Sequence, residues 1–168
     1  MSLDGQRLQA DRYSVIPRTL VFLQDGDHVL LLRIPETRGA WKGKFNGIGG
    51  HIEQGEDALT SAIRETFEET GLKPHAMRLC GTVQIDTKIN PGIALYVFVG
   101  QADSRSPLTS GTEGDLFWVP YANLKPEDQV DDLPIILPRA LDAYRTNTTF
   151  SALYVYDQQD RLRIHFGG

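Results

Sequence analysis

Three glutamates, Glu65, Glu68 and Glu69, stand at positions i, i+3 and i+4, a spacing that gathers them on one face of a helix. Like charges at this spacing oppose helix formation by roughly 0.2–0.5 kcal/mol per pair. A solvated helix gains nothing from the arrangement. A divalent cation, which takes hard oxygen ligands, finds in it a set of carboxylates. Arg64 adjoins the group, and Gly47-Ile48-Gly49-Gly50 lies upstream, where glycines allow positive φ and bring backbone carbonyls close to a ligand. The competing reading is an acidic surface helix behind a flexible turn. The glycines, Arg64 and the stop at Gly71 together favour the cation site.

The helix that must carry these groups is legible in its neighbours. Leu59, Ile63, Thr66, Phe67 and Thr70 fall on one stripe, with Ala62 at its edge, and this predicts the buried face of an amphipathic helix. Glu56 and Asp57 are expected in the first turn, where negative charge suits the helix dipole. Gly71 is read as a left-handed cap, Leu72 as its hydrophobic contact, and Pro74 forbids continuation.

Around this helix the chain reads as mixed α/β. Thr19 to Leu23 and His28 to Arg33 are predicted strands about Asp25-Gly26, a hairpin signal. Pro35 to Lys44 is a loop holding Gly39, Trp41 and Gly43, and Phe45 to Ile52 is short and extended. Met77 to Ile85 and Ile93 to Val99 read as antiparallel strands joined about Asn90-Pro91-Gly92, and Leu116 to Val119 as a short strand. A second helix is expected over Pro134 to Tyr144, and a last hairpin over Phe150 to Tyr156 and Arg161 to Phe166. Residues 1–12 are expected to be disordered and 13–168 to form one domain, with no internal repeat or linker.

Composition narrows the chemistry. The 168 residues suffice for a sizeable core, and a hydrophobic content of 40% is ordinary for a globular protein. No apolar run approaches the length of a membrane span and no signal-peptide pattern opens the chain, so no membrane partner is expected. The single Cys80 excludes an internal disulfide and reads as a buried thiol, compatible with a cytoplasmic setting. A net charge of −5 argues against general nucleic-acid binding. It would also repel a polyanionic substrate unless cations intervene at the glutamates.

From Gly50 to Leu72 the chain resembles the Nudix box, the signature of the Nudix hydrolases. Gly50, Glu56, Arg64, Glu65, Glu68, Glu69, Gly71 and Leu72 each fall on their position, and Thr66 stands where an aliphatic residue is usual. The resemblance implies an α/β/α sandwich with a mixed central sheet. It implies a Mg²⁺-dependent pyrophosphohydrolase, with Mn²⁺ as the substitute cation, acting on nucleoside diphosphates linked to a further group. Glu65, Glu68 and Glu69 would bind the metal, joined by the carbonyl of Gly49. Arg64 would turn from the metal and brace the carboxylates, and Glu56 would brace the loop. Attack on a pyrophosphate needs an activated in-line water. The base varies among relatives; here it is Glu68 or Glu69, or Glu113 in the Ser/Thr/Gly-rich loop, where relatives often carry a further metal-site glutamate.

From about Thr19 onward the chain further resembles the MutT-like branch, the oxidised-purine nucleoside triphosphatases. Phe45-Asn46-Gly47-Ile48-Gly49-Gly50 matches their Trp-Asn-Gly-Phe-Gly-Gly run. By this resemblance Asn46 would meet a purine edge, its amide offering donor and acceptor. Asp131 and Asp132 would be the paired acids on the base, sharing a proton; equally, they are read as the N-terminal acids of the second helix. His51 replaces a lysine of several relatives and is a phosphate candidate, as are Arg18, Arg33, Arg38, Lys42 and Lys44. Two tryptophans of the branch are absent: one is Phe45, and the other, which stacks on the base, is replaced around Gln129-Val130. Other phosphoanhydrides, ADP-ribose or a dinucleoside polyphosphate, stay open as substrates, as does a non-catalytic nucleotide-sensing module.

Overall fold

The computed structural model describes residues 11–37, 39–106, 108 and 114–167. Its eight strands form one mixed sheet. β1 (Val15–Asp25) and β2 (His28–Arg33) are an antiparallel hairpin; the short β3 (Phe45–Asn46) pairs with β2. After helix α1 (Ala58–Thr70), β4 (His75–Ile85) and β5 (Gly92–Gln101) pair antiparallel. β6 (Asp115–Pro120) pairs with β2; helix α2 (Leu133–Thr146) and the hairpin β7 (Phe150–Tyr156), β8 (Leu162–Phe166) complete the order. Across the sheet the strands run β3-β2-β1-β5-β4-β7-β8. Two of its pairings are parallel, β1 with β5 and β4 with β7.

Period-two alternation in β1 explains the three layers. Leu20 and Phe22 belong to a core that includes Leu133, Ile136 and Ala140 of α2. Val21 and Leu23, pointing to the opposite face, join Ile48 and Ala62 in a second core beneath α1. Over Leu20 to Leu23, β1 is therefore buried on both faces and reads as a continuous apolar run, as expected of a central strand with parallel pairing. Among the described residues no helix is long and apolar enough to cross a membrane.

Several boundaries differ from the sequence reading. β1 starts at Val15 rather than Thr19, because pairing with β5 extends from Val15 opposite Gly92 to Gln24 opposite Gln101. Of the extended segment 45–52 only two residues are strand; the rest touches β1 through single bridges, Val21 with Ile48 and Arg18 with His51. β4 starts at His75, and α2 runs from Leu133 to Thr146 with Asn147 as its left-handed cap. Cys80 is buried, and burial raises its thiol pKa. Of the segment 1–12, only residues 11 and 12 are described.

The largest departure is the face that α1 buries. Ser61, Ala62, Thr66 and Thr70 are inside, whereas Leu59, Ile63 and Phe67 are 42%, 41% and 48% exposed. Small residues let the helix approach the sheet closely. The threonine hydroxyls are satisfied locally, Thr66 Oγ1 donating to Ala62 O at 2.7 Å and Thr70 Oγ1 to Thr66 O at 2.6 Å. Asp57 is the N-cap, accepting the N–H groups of Leu59 and Thr60, so Glu56 precedes the helix rather than sitting in its first turn.

This packing sets a prediction. Ala62→Leu should destabilise the protein by about 1–3 kcal/mol through overpacking, while Phe67→Ser should cost under about 0.5 kcal/mol as a surface change. Urea midpoints of the two variants check this, and the reverse ranking would restore the large-residue face as the anchor.

Candidate active site

The burial of α1 ranks its carboxylates by depth. Beside the buried row of Ala62, Thr66 and Thr70 runs the row of Glu65 and Glu69, both half-buried; Glu68 is exposed. All three glutamates line one cleft of about 1130 Å³, together with Gly49, His51 and Arg18. The glycines allow this closeness. Gly49 has φ +145°, and a Cβ there would meet Thr19 O at 2.2 Å. A Cβ on Gly50 would meet the Glu65 carboxylate at 2.4–2.7 Å. The Gly50 carbonyl is taken by Thr19 N–H at 2.9 Å.

Arg64 is the hub of the charges. Its Nε and Nη2 donate to the two oxygens of Glu56 at 2.8 and 2.9 Å, a bidentate pair. Nη1 donates to Glu65 Oε1 at 2.8 Å and Glu68 Oε2 at 3.0 Å, and Nη2 also reaches His51 O at 3.2 Å. Glu56 Oε2 accepts Glu53 N–H at 3.2 Å. The network ties the loop of residues 51–56 to the helix and aims the carboxylates. It holds the Glu56 carboxyl at about 2, well below its ordinary 4.5, chiefly through the hydrogen bonds from Arg64, and it raises the Arg64 guanidinium in return.

The donor set suits a hard divalent cation: carboxylates with a backbone carbonyl nearby, and no sulfur. Among the described residues no three acidic, His or Cys side chains already form a closed metal cage. Glu65 and Glu68 each commit one oxygen to Arg64, and the second oxygen of each, like the Glu69 carboxylate, is of the type that suits a cation. Glu113 lies outside the described residues.

The same cleft is also lined by Asn46, Trp41, Leu32, Val130, Asp132 and Tyr156. Asn46 Oδ1 accepts Gly47 N–H at 2.8 Å, so the amide offers its NH2 end as donor. The two aspartates part company. Asp131 is exposed, accepting from Trp41 Nε1 at 3.3 Å and facing Lys44 Nζ at 3.7 Å. Asp132 is half-buried in the cleft and makes no capping hydrogen bond to α2. Its carboxyl pKa is raised chiefly by burial, with the charge of Asp131 a smaller cause in the same direction. Asp132 faces the buried Tyr154 hydroxyl, whose pKa is raised by burial and then by Asp132. Tyr154 Oη nevertheless lacks a hydrogen bond of ordinary geometry, and burial is the cause that holds for both groups.

Arg33 is not brought to the cleft. Strand alternation turns Leu32 inward and Arg33 away, and Arg33 Nε donates to Gly43 O at 3.1 Å, steadying the β2–β3 loop. Arg18 and His51 do reach the cleft; Arg38 lies outside the described residues. Trp41, Lys88, Tyr156 and Asp160 line it without having been singled out as site residues. Lys88 and Asp160 come from different hairpin tips and pair at 2.8 Å across the rim. Trp41, an aromatic between two loop glycines, carried a signal in the sequence; the rim pair, 72 residues apart, carried none.

This arrangement, a glycine loop and an acidic helix braced by one arginine against a mixed sheet, coincides with a known family. The NUDIX domain family model matches residues 16–140, and the chain belongs to that family of pyrophosphate-bond hydrolases. It is 29% identical over 116 residues to the oxidized purine nucleoside triphosphate hydrolase of Mus musculus, covering 66% of this chain and 72% of the relative. It is 34% identical over 100 residues to a Nudix hydrolase of Bacillus subtilis, covering 57% of this chain and 60% of the relative. The crystal structure of a MutT protein from Bacillus halodurans shares the fold, with TM-score 0.73, 21% identity, and coverage of 90% of this chain and 97% of that one. The mixed-sheet sandwich and the resemblance to MutT-like members are thereby upheld.

The Arg64–Glu56 pair predicts a pH dependence. Glu56 has a folded pKa below its unfolded value, so its contribution is complete above about pH 4.5 and is lost as pH falls toward 2. Across that window the wild type should lose more stability than Glu56→Gln, as read from urea midpoints against pH. Equal slopes would remove Glu56 from the network's energetics.

Proposed function

We propose that the protein is a Mg²⁺-dependent nucleoside triphosphate pyrophosphohydrolase, with oxidised purine nucleotides as the leading substrate class. The observation that carries this is the shared cleft, lined both by Glu65, Glu68, Glu69 and Gly49 and by Asn46 and Asp132. The mouse relative's name supports the substrate class.

Glu65, Glu68 and Glu69 would hold the cation, with Gly49 contributing its carbonyl. When bound, such an ion offsets phosphate charge and acidifies a coordinated water. Arg18 and His51, bridged to each other along the cleft lining, would supply donors to the triphosphate oxygens. Arg64 keeps Glu65 and Glu68 oriented throughout. Glu68, the exposed glutamate, and Glu69 are the described candidates for taking the water's proton; Glu113 is the third. Water oxygen bonds to phosphorus of the α–β bridge as the bridging P–O bond breaks, releasing pyrophosphate and a nucleoside monophosphate. At the base end, Asn46 donates through its NH2. Asp132 presents its half-buried carboxyl to the base edge, and burial raises its pKa.

Normal and oxidised dNTPs, ADP-ribose and diadenosine polyphosphates, tested by product analysis with Mg²⁺ and with EDTA, decide the substrate. Oxidised purine dNTPs should give pyrophosphate and monophosphate only with metal; preferential cleavage of ADP-ribose or a dinucleoside polyphosphate would replace the reading. Glu69→Gln should lower kcat by roughly 100-fold or more, with a melting temperature within about 2 °C of wild type. Full activity of that variant at saturating Mg²⁺ would sink the metal-site assignment.

A further inference from the structure

The base end of the cleft has polar groups but needs area. Asn46 and Asp132 are short side chains that can meet the edge of a planar ring; neither can cover its face. Trp41 can. It lies on the β2–β3 loop, lines the cleft, and is 44% exposed. Its one polar atom is already committed, Nε1 donating to Asp131 Oδ2 at 3.3 Å. Asp131 is adjacent in sequence to Asp132 and also faces Lys44. The indole is thus tethered at its polar edge to the segment that carries Asp132 into the cleft, while much of its apolar surface stays uncovered. The tether links a glycine-flanked loop to the start of α2 and fixes where the ring stands.

We infer that Trp41 is the stacking platform for the nucleotide's base, and that Asp131 is a positioning residue that holds the indole in place through its N–H. The inference rests on the nucleotide reading of the cleft. It gives the two aspartates different tasks: Asp132 meets the base, and Asp131 holds the surface on which the base lies. An aromatic platform is tolerant of base identity, since every base has a π face. Trp41 therefore supplies affinity, while Asn46 and Asp132 supply discrimination.

The test separates this from the hydrolytic reading. The chain has two tryptophans. Trp118 donates its N–H to Arg105 O at 3.2 Å with the Arg105 guanidinium 5.8 Å from its ring, and it does not line the cleft. In Trp118→Phe, fluorescence reports Trp41 alone. Titration with dGMP in EDTA should quench it saturably, while 2-deoxyribose 5-phosphate, which lacks a base, should not. In kinetic assays Trp41→Ala should raise KM for nucleoside triphosphates on the order of 10- to 100-fold with kcat nearly unchanged. Trp41→Phe should recover part of the loss, and Asp131→Ala should raise KM less than Trp41→Ala. If Trp118→Phe disturbs folding, the difference titration between wild type and Trp41→Phe reads the same signal. Silence with dGMP, dAMP and CMP alike, equal quenching by the sugar phosphate, or an unchanged KM in Trp41→Ala overturns the inference. If no triphosphate is hydrolysed but the quench persists, the hydrolytic reading fails and the platform stands.

Discussion

One guanidinium holds the acidic site together. Without Arg64, the half-buried Glu56 and Glu65 and the exposed Glu68 would be like charges crowded on a short loop and a single helix. With it, each has a charge-assisted partner within 3.0 Å. The same side chain reaches the His51 carbonyl, so it ties the loop to the helix. The cost of concentrating negative charge is met inside the motif. The remaining carboxylate oxygens can then be offered to a cation rather than being quenched by the surrounding protein.

The helix that carries this hub sits close to the sheet, and that closeness explains why part of the design was legible from sequence and part was not. The box itself was readable because its chemistry needs fixed residue types at fixed spacing: a left-handed glycine at 71, a glycine at 50 with no room for a side chain, and glutamates one helical turn apart. The buried face of α1 was read correctly at Ala62, Thr66 and Thr70 but wrongly at Leu59, Ile63 and Phe67, because periodicity weighs size and apolarity. Leu59, Ile63 and Phe67 match the period as well as any core stripe does. The requirement that decided the outcome was steric: only Ala62, Ser61 and two self-satisfied threonines permit the approach that sets Glu65 against Gly50. Nothing in a one-dimensional pattern states that distance.

Around Asp131 and Asp132, what was legible was residue type, and what was hidden was direction. Asp131 and Asp132 are adjacent letters, yet one turns to solvent and an indole while the other turns into the cleft. Arg33 and Leu32 divide in the same way, because a strand sends neighbours to opposite faces. The strands themselves were found from their apolar runs; their ends were not, because β1 is lengthened at Val15 by a partner far along the chain.

That partner has a further consequence. β1 and β5 lie parallel, with Val15 opposite Gly92 and Gln24 opposite Gln101, and the glycine loop and the whole of α1 are enclosed between them in the chain. Local elements such as a helix form within about a microsecond, whereas non-local pairings of this kind delay folding toward milliseconds to seconds. The acidic helix is thus free to form early, but the wall it faces, built from β1 and the strands beside it, arrives only when the long segment closes. Closure of that segment, rather than helix propensity alone, is what sets the loop and helix against the sheet.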